Sequence, residues 1–460
     1  MLAEADDKKT DLVCLCKNLY PDLSTATNLR EVDLTECSSL EELILSIENV
    51  TNLRRLCLSG CSSLVKIPSS IENATNLLHL SLTGCSCLVE LPYSIGNATN
   101  LRNLYLGMCT SLMELPSSIG NATNLQNLYL DMCTGLVELP STIGNLQKLQ
   151  CLSLKGCSKL QGLPDNINLK SLDTLVLIDC SLLKSFPEIS TNIMSLQLNG
   201  SAIKEVPLSI KSWPRLNRLE MSYSENLQKY PHALNIITSL CLDDTEIQEI
   251  LPWVKTTNRL WGLWLNNFKK LVSLSQIPDC LSYLDASNCE SLEILDCSFH
   301  NPKIYLDFTN CLKLNKEARE LIIHTNSRRA LLPGGEVPAH FTTRATNGSS
   351  MTVKSNQWPL FTTWRFKACI LLIDKGLTGA GDDGDRSEVH HHIIYKRNGL
   401  TLNEEAANKF LPVLLTEHLY MIEVEVEEAF TEIVFKFGVE SDKWGIGEGG
   451  VLQLPDKDKH

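Results

Sequence analysis

The chain is 460 residues long, 43% hydrophobic and 21% charged, with a formal charge of −13. That acidic balance argues against a nucleic-acid backbone as the main ligand, which would demand a basic stripe. Met1–Thr10 lacks the apolar stretch of a secretion signal, and apolar runs such as Ala368–Ile373 are long enough for a strand but not for a membrane span.

A motif L-x-x-L-x-L-x-x-C-x-x-L-x-x-L-P governs the first two-thirds of the sequence. It runs through Leu77, Leu80, Leu82, Cys85, Leu88, Leu91 and Pro92 and returns 24 residues later from Leu101 and again from Leu125. This is the leucine-rich repeat signature, and periodicity of this kind fixes the architecture before any local reading. Before the repeats, residues 1–28 read as a partial repeat, with Leu19–Asn28 the tail of an earlier one. Repeats then start at Leu29, Leu53, Leu77, Leu101, Leu125, Leu149, Leu172, Ile193, Leu216, Ile237, Leu260 and Leu281. The expectation is an α/β solenoid of about twelve repeats over 29–300, with a parallel concave sheet. Each L-x-L core should be a short strand, with its leucines inward and its alternate residues outward. Pro in the L-P-x-x-I segment should open a helical turn on the convex side. Without upstream repeats, Val32–Leu34 is expected to present an open sheet edge.

The cysteines follow the repeat. Cys37, Cys61, Cys85, Cys109, Cys133, Cys157, Cys180 and Cys289 all stand at one position. One residue type at one position is a packing requirement, and these should be buried, reduced thiols. A secreted disulfide framework would show spacings unrelated to the repeat. The lack of a C-x-x-C with a matching partner pair argues against a zinc site.

A repeat of this kind builds a binding surface rather than a catalytic pocket. The outward strand positions are therefore the candidate partner contacts: Arg102, Tyr105 and Met108; Tyr129, Asp131 and Met132; Glu220 and Tyr223; Trp261 and Trp264. Exposed aromatic side chains are favoured interface anchors, although cross-strand packing also uses them. No catalytic, cofactor or metal residues are assigned.

From 301 to 460 the pattern changes to an all-β sandwich. A short helix is expected at Lys313–His324. Strands are expected at Ser350–Lys354, Arg365–Asp374, Val389–Arg397, Leu419–Glu427 and Glu432–Gly438, with an acidic Gly-rich loop at Gly376–Ser387. His390, His391 and His392 form the one dense titratable cluster. As a strand, His390 and His392 share a face, too few ligands for a metal. The cluster reads as an edge strand.

Three segments carry a family resemblance: Phe308-Thr309-Asn310-Cys311-Leu312-Lys313-Leu314, Leu332-Pro333-Gly334-Gly335-Glu336-Val337-Pro338 and Phe366-Lys367-Ala368-Cys369. With the Cys-Ser-Ser-Leu repeats at Cys37 and Cys61, they resemble the C-terminal part of plant immune receptors of the TIR, nucleotide-binding, leucine-rich-repeat class. The resemblance is strongest to crucifer receptors of downy-mildew effectors. It implies that residues 301–460 form the jelly-roll and Ig-like domain of that class. It also implies that repeats and sandwich together bind a pathogen effector protein and contribute to autoinhibition, with the nucleotide-binding domain of a full-length receptor as a second partner. The implied location is cytoplasmic or nuclear. The family's nucleotide switch and NAD-cleaving domain are not carried over, because the sequence has no G-x-x-x-x-G-K-[ST] loop and no TIR-like segment. The region of Trp444–Gly450 also departs from the family's closing C-G-[VI]-R run. An extracellular receptor ectodomain is the competing reading, from sequons at Asn49, Asn73, Asn97, Asn121, Asn199 and Asn347; four of these arise from the repeat unit itself. A paralogue without signalling activity is the other alternative.

Overall fold

The computed structural model describes residues 11–13, 29–43, 51–222, 236–241, 252–255, 257–275, 277–347, 349–354, 364–376, 387–411, 413–426 and 430–455. Two compact units divide the chain between Ser239 and Leu240.

The first unit is a parallel ladder. Its strands are β1 (Asp11–Val13), β2 (Glu31–Asp33), β3 (Arg55–Cys57), β4 (His79–Ser81), β5 (Asn103–Tyr105), β6 (Asn127–Tyr129), β7 (Cys151–Ser153), β8 (Thr174–Val176), β9 (Ser195–Leu198) and β10 (Arg218–Ser222). Each pairs in parallel with the next, in constant register. The expected open edge at Val32–Leu34 is corrected: β1 pairs with β2 through Leu12↔Val32 and covers it. From β2 to β9 the second residue of each strand and the leucine two places on are buried, as at Leu80, Leu82, Leu104 and Leu106. On the opposite side, Pro68, Pro92, Pro116 and Pro140 each precede a five-residue 3₁₀ helix. Pro suits that place because its fixed φ opens a helical turn and its missing N–H is not needed there.

The cysteine position has a direct physical use. Cys85 Sγ donates to the Leu58 carbonyl at 3.2 Å, Cys109 to Leu82 at 3.2 Å and Cys133 to Leu106 at 3.0 Å. Each thiol is thus a second donor, from the next repeat, to a buried carbonyl 27 residues back that also accepts a backbone N–H of its own repeat. Burial pushes the thiols of Cys61, Cys85, Cys133 and Cys180 up to about 12, which makes them poor nucleophiles. A second tie runs along the turns, where Asn76, Asn100 and Asn124 donate to the carbonyls of Thr51, Thr75 and Thr99 at 2.8, 2.7 and 2.8 Å. The closing Asn of each N-A-T-N unit is therefore a structural residue.

The second unit begins with the strand that straddles the division, β11 (Ser239–Cys241), and continues with β12 (Gly262–Trp264), β13 (Ser273–Leu274), β14 (Tyr283–Asp285), β15 (Ile294–Leu295) and β16 (Ile304–Asp307). Helix α1 (Lys316–His324) follows. Then come β17 (Ser327–Pro333), β18 (Thr343–Ala345), β19 (Ser350–Lys354), β20 (Trp364–Asp374), β21 (Glu388–Arg397), β22 (Leu400–Phe410), β23 (His418–Val426), β24 (Glu432–Glu440) and β25 (Trp444–Leu454). The parallel ladder does not stop at 300: β12, β14, β16 and β17 pair in parallel in that order. Cys311 Sγ even donates to the Ala286 carbonyl at 2.9 Å, as the earlier cysteines do in their repeats. The Phe308–Leu314 segment is therefore a further repeat rung, with Phe308 in a leucine place.

The sheet then changes direction. β17 pairs antiparallel with β23, β23 with β20, β20 with β25 and β25 with β18. A second sheet, ordered β19-β24-β21-β22, packs against it. Phe366, Ile370, Tyr420 and Ile422 from one sheet meet Ile393, Ile433, Phe435 and Phe437 from the other in one buried cluster. This is the expected sandwich. The His390–His392 strand, however, is not an edge: β21 is paired on both sides, and β22 is the edge.

Two of the three family segments have structural roles here. Asn310 sits in the left-handed region, φ 58°, where Asn is tolerated. Its amide donates to Asn288 Oδ1 and the Val413 carbonyl, both at 2.8 Å, and accepts from Leu415 N at 2.9 Å. Its backbone N–H donates to His418 Nε2 at 3.0 Å. Burial lowers the His418 pKa, consistent with a neutral ring that accepts at Nε2 and donates at Nδ1 to the Thr416 carbonyl. Lys367 is 2% exposed, and its ammonium donates to the Ile323 and Thr325 carbonyls at 2.7 and 2.6 Å, capping the C-terminus of α1. Burial pushes its pKa down to about 8.

Two outcomes follow from these contacts. Cys109→Ala leaves the Leu82 carbonyl with the Cys85 N–H alone and opens a small void, so it should lower stability by about 1 kcal/mol. An unchanged urea midpoint would refute the role of the thiol. Asn310→Ala removes three side-chain hydrogen bonds at a left-handed position, leaves the backbone bond to His418, and should cost on the order of 3 kcal/mol. Calorimetry on the full chain checks this, and a loss below about 1 kcal/mol would contradict Asn310 as the hub.

Candidate protein-binding face

In the first unit, the outward residues of successive strands form two columns. One column holds Arg55, His79, Asn103, Asn127 and Cys151. Asn103 joins His79 Nδ1 at 2.7 Å, and Asn127 donates to Asn103 Oδ1 at 2.6 Å. The other column contains Tyr105 and Tyr129, whose rings stack with centroids 5.1 Å apart and planes within 1°. The two tyrosines are brought together as a single flat apolar surface. Burial pushes the Tyr129 hydroxyl up to about 12.

Beside the tyrosines stand Met108 and Met132, 52% and 46% exposed. Both adopt left-handed backbone, φ 60° and 61°, at the place where other repeats of this unit use Gly60, Gly84, Gly156 and Gly200, or Glu36 and Asp179. A side chain there costs on the order of 1–2 kcal/mol. Two adjacent repeats therefore carry strain that glycine would relieve, on residues that remain exposed. Arg102 is exposed. Asp131 is instead tied inward, accepting from the Ser153 hydroxyl and from Lys155 N at 3.2 Å.

Not every candidate faces solvent. Glu220 is only 5% exposed. The Arg218 guanidinium, two places away on the same strand face, folds over it as an ion pair, and Asn199 donates to its other oxygen at 3.4 Å. Its expected exposure is corrected: the Arg218 side chain covers it. Tyr223 lies outside the described residues.

The second unit carries its own aromatic rail. Gly262, Tyr283, Tyr305 and Arg329 are register partners on β12, β14, β16 and β17. Gly262 leaves space that the Trp264 ring occupies; a Cβ there would lie 2.3 Å from the indole. Trp264 stacks on Tyr283 at 5.3 Å and Trp261 on Tyr283 at 6.0 Å, while Tyr283 and Tyr305 are 6.3 Å apart. The Arg329 guanidinium then lies 5.6 Å from the Tyr305 ring and 5.9 Å from that of Tyr420. Trp261 is 49% exposed, whereas Trp264 is half-buried by its neighbours.

Along the rail runs a carboxylate row. Trp264, Asp285 and Asp307 are register partners. Lys409, from β22, reaches Asp307 Oδ2 at 3.0 Å. Burial, then repulsion from Asp307, pushes Asp285 up to about 6. Tyr283, Asp285, Tyr305, Asp307, Arg329 and Lys409 were not singled out by sequence. The repeated tripeptide Tyr-Leu-Asp at 283–285 and 305–307 was the available signal. Beyond the rail, a cleft of about 660 Å³ is lined by Tyr305, Arg329, His391, Ile393, Glu405 and Ala407. Burial and nearby Arg329 push His391 down to about 4. His392 pairs with Glu404 at 2.9 Å, and His391 with the Tyr420 hydroxyl at 3.2 Å. His391 and His392 thus serve different contacts.

Asp285 gives a pH-dependent prediction. Its folded pKa lies above the ordinary 3.8, so the folded state holds the proton more tightly, and stability is lost as pH rises through 6. Asp285→Asn keeps the acceptor for Ser287 N, now 3.0 Å away, but removes that loss. It should stabilise the chain by about 1 kcal/mol at pH 7.5 and by nothing measurable near pH 3.5. A stabilisation independent of pH in thermal melts would refute it.

Comparison with known proteins places this surface in context. Residues 94–300 match the family model described as a leucine-rich repeat region. The chain is 53% identical over 293 residues to "Probable disease resistance protein RPP1" of Arabidopsis thaliana, covering 63% of this chain and 24% of that protein. It is 34% identical to "Disease resistance-like protein DSC2", covering 63% of this chain and 35% of that protein, and 42% identical to "Disease resistance protein TAO1", covering 38% and 14%, both of the same plant. The chain thus spans about a quarter to a third of the length of the first two relatives. Among solved structures, the crystal structure of a TDR receptor aligns over 63% of this chain and 75% of that one, at 16% identity and a TM-score of 0.31. At that score the fold rests on the strand pairing of this chain itself. No helix among the described residues is long and apolar enough to cross a membrane. Over its leucine-rich repeat region, the chain is similar to plant disease resistance proteins.

Proposed function

We propose that this chain is a pathogen-effector recognition module that acts by protein–protein binding rather than by catalysis. The observation that carries the reading is the pair of strained, exposed methionines beside the Tyr105–Tyr129 stack. Residues held in unfavourable backbone while remaining exposed point to selection for contact rather than for stability. Polarizable Met beside flat aromatic surface is a favoured interface composition. The rail at Trp261, Trp264 and Tyr283 supplies a second aromatic surface of the same kind.

The relatives are named for disease resistance, and the partner class follows from that kinship: an effector protein, with the nucleotide-binding domain of a complete receptor as the partner in the resting state. The repeats serve contact in both cases. The location consistent with this role is the plant cell interior.

The experiment is a binding screen of the purified chain against a panel of downy-mildew effector proteins by surface plasmon resonance. With a matched effector, alanine at Tyr105, Tyr129, Trp261 and Trp264, tested singly, should cost on the order of 2 kcal/mol for each anchor, roughly thirtyfold in affinity. Circular dichroism should be unchanged for each variant. Wild-type affinity in the quadruple variant would sink the reading.

A further inference from the structure

We propose that the shelf formed by Trp261, Trp264 and Tyr283 docks an arginine side chain presented by a protein partner, with Asp285 as its counter-ion. This deepens the proposed function, resting on the reading of this face as a protein-binding surface.

The rail already shows the chemistry it accepts. At its far end the chain's own Arg329 lies over the faces of Tyr305 and Tyr420. At its near end the same kind of surface is built from two indoles and a phenol, with Trp261 half open to solvent. Indole is the best ring for a cation, and a flat, weakly hydrated guanidinium stacks on it better than an ammonium does.

Charge complementarity selects the cation. Asp285 is the register partner of Trp264, one strand spacing from the shelf. Asp285 and Asp307 share one ammonium, that of Lys409, which contacts Asp307. The row therefore sets two carboxylates against one contacting cation, and Asp285 is the member held by the backbone N–H and side chain of Ser287 rather than by an ammonium. Tyr283, Asp307, Lys409 and Arg329 are the other ionisable groups around it. An arginine on the shelf would supply a second cation and cover Trp261 in one step.

Gly262 supports the same conclusion. It holds no side chain, and so Trp264 lies flat across β12 instead of standing away from the sheet. A shelf results, rather than an isolated aromatic.

The test uses the full chain labelled with 5-fluorotryptophan, read by fluorine NMR, with Trp261 and Trp264 assigned by Trp→Phe substitution. N-acetyl-arginine methylamide is titrated against its citrulline counterpart, which has the same shape without the charge. The arginine probe should shift the Trp261 and Trp264 signals saturably in the millimolar range, with citrulline weaker by about tenfold. Asp285→Asn, whose unliganded fluorine spectrum reports whether the fold is retained, should weaken arginine binding by a similar factor. Gly262→Ala, which pushes the Trp264 ring off its shelf, should weaken it as well. Equal responses to arginine and citrulline, undiminished binding to Asp285→Asn, or silent Trp261 and Trp264 signals would each overturn the proposal. An arginine response without any effector binding would retain this site and sink the proposed function; effector binding with a silent arginine probe would do the reverse.

Discussion

Each rung of this molecule must satisfy its backbone polar groups against the rungs on either side, because a three-residue strand has no means of doing so alone. From β2 to β7 the strand N–H and C=O groups meet their neighbours at a 24-residue offset, and the carbonyl past the strand's end is also met by a cysteine thiol from the next rung. Everything else depends on that ladder. The leucines are buried because the offset stacks them. The cysteine is kept because a small, weak donor fits a space in which Ser would be more polar and Ala would donate nothing. Outward positions are released from structural duty and can vary. Ends require treatment, and the chain treats the visible ones differently: β1 covers β2, while beyond β16 the ladder is handed to an antiparallel sheet through β17.

The handover is where the specific post-repeat sequence acts. Asn310 stands at the left-handed turn position and reaches across to the chain around Val413–His418. Lys367 reaches from β20 to the end of α1. These long-range contacts bind the last repeats and the sandwich of the second unit to one another. Lys409 adds a third link, from the edge strand β22 to Asp307 on the face of β16. The aromatic rail therefore runs from repeat rungs into the sandwich cleft without a break in the sheet beneath it. A binding face built this way draws its rigidity from the ladder and its chemistry from side chains the ladder does not need.

Sequence showed the repeats well because every rung strand carries a leucine flanked by others at fixed spacing. The sandwich strands β19, β20, β21, β23 and β24 also stood out, since their alternation buries one face. β22 did not, because Leu400–Phe410 is exposed along most of its length and has no apolar face to betray it. β25 was obscured by its glycines, which the structure requires: a Cβ at Gly450 would lie 2.7 Å from Phe341. The solenoid's extension to β16 was written in Phe308–Leu314, but Phe in place of Leu concealed it. For the candidate face, exposure and stacking of tyrosine and tryptophan were legible in the outward positions. The burial of Glu220 was not, because it depends on the Arg218 side chain folding over it, nor was the strain at Met108 and Met132, which is a property of φ.

Hydroxyl-radical footprinting of the chain with and without a bound effector tests the central claim most directly, since it reads side-chain exposure on both faces at once. The account predicts that oxidation of Met108, Met132 and Trp261 falls several-fold on binding, while Tyr93, 69% exposed in the 3₁₀ turn after Pro92, is oxidised as before. Protection of Tyr93 with Met108, Met132 and Trp261 unchanged would contradict it.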